Sequence, residues 1–239
     1  MWIIAGPCAV ESKRQIIDSC QFLSGLGIEY IRGGAFKPRT SVDSFQGLRL
    51  EGLRIFREAA DTYDLKIVTE VTDTRLVEEI SEYADVLQIG ARNMQNFDLL
   101  TECGRQSKRV ILKRGLAATL DEWYGAAGYV LKQGQAELYM CERGHRTYLN
   151  HVRFMLDIAG IQDALLNGFK VIVDPSHAAG SVQYVEALTR AAIALDIHGV
   201  LIETHPHPGE ALSDKNQQLN HWEFKRLLHQ HLLRKEDGK

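Results

Sequence analysis

Few prolines, few aromatics and no long apolar run mark this chain. Only five prolines occur in 239 residues, aromatic residues make up 8%, and four cysteines are present. Cys8, Cys20, Cys103 and Cys141 show no C-x-x-C pair and no disulfide-framework spacing, so a stapled secreted scaffold is excluded and a reduced, cytoplasmic setting is expected. No apolar stretch approaches the roughly 20 residues of a membrane helix. The opening Met1-Trp2-Ile3-Ile4 lacks the basic start and long apolar segment of a secretory signal. A formal charge of -3 leaves no general basic field for nucleic acid or a membrane surface. There is no low-complexity stretch, charge block or linker. No G-x-G-x-x-G opens a helix, so hydride transfer by a dinucleotide is not indicated.

What is present is a repeated pattern. Short apolar runs fall at Trp2–Ala5, Tyr30–Arg32, Lys66–Thr69, Val86–Ile89, Val110–Leu112, Glu137–Met140, Val171–Val173 and Gly199–Ile202. They lack polar alternation, as parallel strands covered on both faces do. Between them run helical patterns with a period near 3.6 residues. One comprises Phe45, Leu48, Phe56, Ala59 and Tyr63; a second Phe154, Ile158, Ile161 and Leu165, closed by Gly168; a third Val182, Val185, Leu188, Ala192 and Leu195. Strand starts recur every roughly 20 to 36 residues, which suits βαβ units joined by short loops. A single (β/α)8 TIM barrel over residues 1–239 is expected, in preference to an open doubly wound sheet. Because the first run begins almost at Met1, a bare catalytic core without a regulatory domain is expected.

Reactive residues follow the runs: Cys8, Lys37 with Arg39, Glu70, Arg92, Lys113, Glu142 with Arg143, His177, and Glu203 with His205. All five prolines, Pro7, Pro38, Pro175, Pro206 and Pro208, fall in the same junctions and none in a helical stretch. In a barrel these ends form one face. Arg32, Lys37, Arg39, Arg92, Lys113, Arg114, Arg143 and Arg146 lie at or beyond strand ends although the chain is net negative. A substrate with several negative charges explains a set that tracks the strand period. For any one residue, a solvated rim is at least as good an account. Cys8, His177, Glu203 and Asp214 follow strands 1, 7 and 8, which adjoin in a closed barrel. Mixed thiolate, imidazole and carboxylate donors suit Zn, Fe, Mn or Co. A lone cysteine is more often a buried small apolar residue, and no short metal-spacing motif is present. Cys20, Cys103, Trp123, Tyr124 and Trp222 read as packing residues. His221, His229 and His231 read as solvated, while His145, His151 and His198 have no evident partner.

Ile4-Ala5-Gly6-Pro7-Cys8-Ala9-Val10-Glu11-Ser12 resembles the opening signature of the superfamily of 3-deoxy-D-arabino-heptulosonate 7-phosphate (DAHP) synthases and KDO 8-phosphate synthases. Arg32-Gly33-Gly34-Ala35-Phe36-Lys37-Pro38-Arg39-Thr40-Ser41 resembles the DAHP branch; the KDO 8-phosphate branch has an Asn-Arg-Ser type sequence in place of Lys-Pro-Arg-Thr. Ile89-Gly90-Ala91-Arg92-Asn93-Met94-Gln95-Asn96, Leu112–Gly115, Cys141–Gly144, Asp174–His177 and Ala211–Asp214 extend the likeness over the whole chain, within the type I beta group.

That resemblance implies condensation of phosphoenolpyruvate with D-erythrose 4-phosphate and water, giving DAHP and phosphate, the first step of the shikimate route to aromatic amino acids. It implies a divalent metal (Mn, Fe, Co or Zn) on Cys8, His177, Glu203 and Asp214. Arg92, Lys113 and Arg143, beside Ala91, would hold the phosphoenolpyruvate phosphate, with Arg32 and Lys37 near its carboxylate. Arg39 and Thr40 would take the erythrose phosphate, with Asp214 also beside substrate. Lys37 is the candidate proton donor, Glu70 would orient a cation or water, and His205 would stand behind the ligands. A homo-oligomer, a tetramer as in relatives, is expected. Departures from the usual pattern are His207 in place of an acidic residue, Lys215-Asn216 where Gly is common, and His145 with the stretch Tyr148–Arg153. They bear on the loop around Asp214, on metal preference and on aldose length. The alternatives are KDO 8-phosphate synthesis from arabinose 5-phosphate and a non-catalytic barrel that senses sugar phosphates.

Overall fold

Eight parallel strands close on themselves in chain order, as the spacing of the apolar runs predicts. The computed structural model describes residues 1–38 and 41–233. The first half comprises β1 (Trp2–Gly6), α1 (Lys13–Ser24), β2 (Tyr30–Arg32), α2 (Arg49–Thr62), β3 (Lys66–Val71), α3 (Val77–Tyr83), β4 (Val86–Ile89) and α4 (Phe97–Gly104). The second half comprises β5 (Arg109–Lys113), α5 (Leu120–Leu131), β6 (Glu137–Glu142), α6 (Ile158–Leu166), β7 (Val171–Val173), α7 (Pro175–Ala179), α8 (Val182–Ile193), β8 (Gly199–Glu203) and α9 (His221–Leu227). β1 pairs with both β2 and β8, the latter in the register Gly6↔Glu203, so there is no free sheet edge.

The two-residue period of a strand sorts the side chains. Ala5, Ile31, Ile67, Leu87, Leu112 and Val173 face the helices and join one continuous apolar core. Ile4, Tyr30, Val68, Val86, Ile111, Cys141, Ile172 and Leu201 face inward and fill the barrel as a separate apolar cluster. Two residues further along the same strands come Arg32, Glu70, Gln88, Lys113, Arg143, Asp174 and Glu203. An apolar layer therefore floors a charged one. Below it, Trp2 packs against Tyr30 and Tyr139 with ring centroids 5.0 and 4.7 Å apart, and the Arg109 guanidinium lies 5.6 Å from the Trp2 ring.

The helices follow local rules. Ser12 caps α1 by accepting from Gln15 N–H, and Ile16, Cys20 and Leu23 line its buried face. Thr119 and Glu122 form a reciprocal capping box at α5. Trp123 on α5 is fully buried and its Nε1–H donates to Leu112 O at 3.2 Å, which secures helix to strand. Truncation there would cost about 3–5 kcal/mol.

Several expected boundaries move. Phe45 and Leu48 precede α2, Phe154 precedes α6, and Leu195 follows α8, because loop residues can continue an apolar face without helical bonds. Pro175 does stand in a helix, at the first position of α7, where its missing N–H leaves no intrahelical bond unmade. Trp222 is 68% exposed rather than packed. His221 is half-buried instead of solvated, stacked on Phe22 at 3.8 Å, and burial pushes its pKa down to about 4.

Candidate active site

The strand ends converge on a cavity of about 310 Å³, lined by Arg32, Lys37, Arg92, Lys113 and Arg143 together with Glu70, Ala91, His177 and Asp214. Strand-end position places seven of these nine in the sequence; Ala91 is implied by the resemblance, and Asp214 lies on the loop after β8. Arg39 and Thr40 lie outside the described residues.

At one side, Cys8 Sγ, a Glu203 oxygen and an Asp214 oxygen all lie within 4.8 Å of one another. Cys8 follows β1, Glu203 ends β8, and their strands are neighbours. Cys8 is fully buried; burial, then the Glu203 charge, pushes its thiol up to about 12. Asp214 Oδ2 accepts from Cys8 Sγ at 3.4 Å, and Asp214 holds a left-handed backbone with φ 47°. Non-glycine residues seldom adopt that conformation, and aspartate is among the few that tolerate it. His177 completes the set from α7, with Nε2 3.7 Å from Glu203 Oε1 and 3.8 Å from Asp214 Oδ2. Its Nδ1 lies 2.6 Å from Asp174 Oδ2, which orients the ring so that Nε2 faces the other donors. The thiol and the two carboxylates lie close enough to share a divalent transition metal, with the His177 imidazole nitrogen beside both carboxylates. A thiol held neutral by burial and by the Glu203 charge is also what a cation would reverse.

Each donor has an outer partner. Glu203 Oε1 accepts from Arg32 at 2.7 Å and Oε2 from Gln217 at 2.7 Å. Burial alone would raise the Glu203 pKa, but the charges of His177 and Arg32 leave it lowered. Lys37 Nζ lies 3.2 Å from Cys8 Sγ and donates to Cys8 O at 3.1 Å. Lys113 Nζ donates to Asp174 at 2.5 Å. Gln218 accepts the Cys8 N–H at 2.9 Å. His205 stands behind them, accepting from His207 N–H through Nδ1 at 3.0 Å, with Nε2 3.5 Å from Glu11.

Arg143 differs. It is 4% exposed, yet among the described residues no carboxylate lies within 4 Å of it or of Arg92, whereas Arg32 and Lys113 are both ion-paired. Its guanidinium stacks on Phe154 at 4.1 Å, and burial depresses its pKa. A buried cation without an acid is a site awaiting an anion. Glu70 borders the same space. Gly90 leaves it room, since a Cβ there would sit 1.9 Å from Glu70 Oε1.

Two expected cations do not join the cavity. Arg114 turns away, donating to Glu142 at 3.0 Å and Asp157 at 2.7 Å, because it follows inward-facing Lys113 and takes the opposite side. Glu142 is thereby an internal pairing residue, fully buried. Arg146 is not among the cavity's lining side chains; its N–H donates to Leu116 O. Sequence reasoning missed Asp174, Gln88, Arg153, Phe154, Gln217 and Gln218. Asp174 alone carried a local signal, as the cap before Pro175 of a helix start. The others are placed by contacts between distant segments.

The model of the DAHP synthetase I family matches residues 1–236. The chain belongs to that family. Among DAHP synthetase I relatives, the phospho-2-dehydro-3-deoxyheptonate aldolase of Thermotoga maritima is 45% identical over 95% of this chain and 67% of its own length. The 2-dehydro-3-deoxyphosphooctonate aldolase of Francisella tularensis is 28% identical over 95% of the chain and 88% of its own. The crystal structure of the Thermotoga maritima DAHP synthase superposes with a TM-score of 0.91 at 44% identity, over 95% of this chain and 67% of that one. A truncated form of the Thermotoga enzyme gives 0.87 at 41%, over 95% and 83%. The barrel of the DAHP synthetase I chain is thus shared with a relative whose sequence is also close.

Proposed function

We propose that this chain condenses phosphoenolpyruvate with D-erythrose 4-phosphate and water to give DAHP and inorganic phosphate. The observation that carries the reading is the pairing of two features in one cavity. Among the described residues, buried Arg143 and exposed Arg92 both line the cavity with no carboxylate within 4 Å, and 45% identity to a named phospho-2-dehydro-3-deoxyheptonate aldolase accompanies them.

Arg92, Lys113 and Arg143 hold the phosphoenolpyruvate phosphate beside Ala91, and Arg32 and Lys37 face its carboxylate. By resemblance, Arg39 and Thr40 take the phosphate of the aldose. Fixing two polyanions side by side offsets their repulsion and turns a bimolecular encounter into a local one. Cys8, His177, Glu203 and Asp214 would hold the divalent ion, with Mn, Fe, Co and Zn all compatible with the donor set. Bound there, it would polarise the aldehyde as a Lewis acid. C3 of phosphoenolpyruvate bonds to the aldehyde carbon, and the new alkoxide takes a proton from Lys37. Water, oriented by Glu70, adds at C2 and returns a proton to Lys37. The hemiketal phosphate then collapses to the ketone, the bond between C2 and the phosphate oxygen breaking and its hydroxyl proton leaving with the released phosphate.

Residues 1–239 would act as one catalytic domain, in a cytoplasmic homo-oligomer, a tetramer, without nucleic-acid or membrane partners. No helix among the described residues is long and apolar enough to cross a membrane. The test is phosphate release from phosphoenolpyruvate and erythrose 4-phosphate, with and without EDTA. No turnover by folded, metal-supplemented protein would sink the reading. Preference for arabinose 5-phosphate at matched concentration would move it to the KDO 8-phosphate reaction, and light scattering checks the oligomer.

A further inference from the structure

One cation in the cavity belongs to no strand end. Arg153 lies in the long loop between β6 and α6, and lines the cavity together with Lys37, Ser41 and Ser44. Its Nη1 donates to Asp214 Oδ1 at 3.2 Å and to Gln217 Oε1 at 3.1 Å. Arg32 and Lys113, the other ion-paired cations of this cavity, have side chains 4% and 5% exposed, but that of Arg153 is 39% exposed. Its ion pair is therefore the one that an incoming solute can reach.

The fold seats this arginine deliberately. The loop bonds to α7, with Phe154 N–H donating to Ala178 O at 3.2 Å. Gly180, left-handed at φ 66°, ends that helix, and a Cβ there would come 2.3 Å from Arg153 Cβ. Phe154 in turn packs against two guanidiniums, Arg143 at 4.1 Å and Arg153 at 5.4 Å from its ring centroid. Two like charges are thus held near one ring, the buried one without an acid among the described residues and the more exposed one paired with Asp214. A dianion at the outer position would satisfy both the geometry and the charge excess.

Resting on the condensation proposed above, we infer that Arg153 binds the phosphate of the aldose substrate, exchanging its contact with Asp214 for the incoming dianion. It thereby selects phosphorylated over unphosphorylated aldoses. Ser41 and Ser44 border the same space and supply hydroxyl donors to the same group. The weak, solvent-screened pair with Asp214 makes the exchange inexpensive.

The test compares wild type with Arg153→Ala and Arg153→Lys, using metal-loaded enzyme, saturating phosphoenolpyruvate, and either erythrose 4-phosphate or erythrose. Arg153→Ala is expected to raise KM for erythrose 4-phosphate at least tenfold and to leave kcat/KM for erythrose and KM for phosphoenolpyruvate within threefold. Arg153→Lys recovers part of the loss. The ratio between the two aldoses does not depend on the fraction of folded enzyme. Calorimetry with unreactive erythritol 4-phosphate should show the same tenfold weakening. Equal losses with both aldoses, or an unchanged KM for erythrose 4-phosphate, overturns the inference and leaves Arg153 as a brace for Asp214. A wild type that turns over neither aldose overturns the condensation itself.

Discussion

Replacing Asp174 by asparagine keeps the shape of the side chain and removes one buried charge. Asp174 is 0% exposed and meets Lys113 Nζ at 2.5 Å, His177 Nδ1 at 2.6 Å and His177 N–H at 2.9 Å. The amide can keep the backbone bond, but not the charge-assisted contacts. Lys113, 5% exposed, loses its carboxylate and is left beside Arg143. Breaking a buried pair on one side costs about 3–5 kcal/mol. Orientation of the His177 ring is lost as well, an effect that typically lowers metal affinity about 10–100-fold. The pH dependence has a definite sign. Burial would raise the Asp174 carboxyl, yet His177 and Lys113 hold it well below the usual range. Its contribution to stability is therefore present above the ordinary carboxylate pKa, about 4, and is lost as pH falls below it. Urea unfolding of wild type and Asp174→Asn at pH 7 and at pH 3.5, with Mn²⁺ calorimetry at pH 7, gives all three readings. The variant should be weaker at pH 7 and lose less on acidification. A stability change under about 1 kcal/mol together with unchanged Mn²⁺ affinity would refute the reasoning about this carboxylate.

Cys8→Ser swaps a soft thiolate for a hydroxyl, and should weaken Zn²⁺ binding at least about tenfold while the melting temperature moves by only a few degrees; undiminished affinity by calorimetry would remove Cys8 from the donor set. Arg114→Met leaves Glu142 buried without its cation, so unfolding free energy should fall by about 3 kcal/mol or more. KM for phosphoenolpyruvate should stay within threefold of wild type, and a large rise would place Arg114 in the cavity after all. Arg143→Met is its mirror image, with KM for phosphoenolpyruvate raised by an order of magnitude or more and stability little reduced; an unchanged KM contradicts the anion site. Gly90→Ala drives a methyl against Glu70, 1.9 Å from its Oε1, and should lower kcat about tenfold with phosphoenolpyruvate binding retained; full activity would show that the position of Glu70 does not matter.

The barrel was legible because each apolar run ends at its own chemistry. The strand alternation carried more than that position alone. Counting two residues on from Tyr30, Val68, Ile111, Cys141 and Leu201 reaches Arg32, Glu70, Lys113, Arg143 and Glu203, whose side chains return to the interior. The same parity separates Lys113 from Arg114, which are neighbours in the chain and opposites in space. Where periodicity stops, legibility stops as well. Arg153 sits in a loop with no repeating pattern, and Gln217 is defined by a contact with Glu203 made where the chain after β8 folds back beside it. The helix stripes overran into loops at Phe45 and Phe154, since an apolar side chain packs as well from a turn as from a helix.

The closing seam of the barrel has a consequence for assembly. Cys8 and Glu203 meet only across β1 and β8, the first and last strands, while Asp214 lies beyond both. Any partly built sheet in which β1 and β8 are not yet paired keeps the thiol and the carboxylates apart. A cation therefore cannot template folding before that pairing, as it does in a zinc finger. Binding there would act as a clasp on that pairing, and at a hundredfold excess over its dissociation constant it would add about 2.7 kcal/mol against reopening. Stripping the ion should speed unfolding while leaving the rate of refolding almost unchanged.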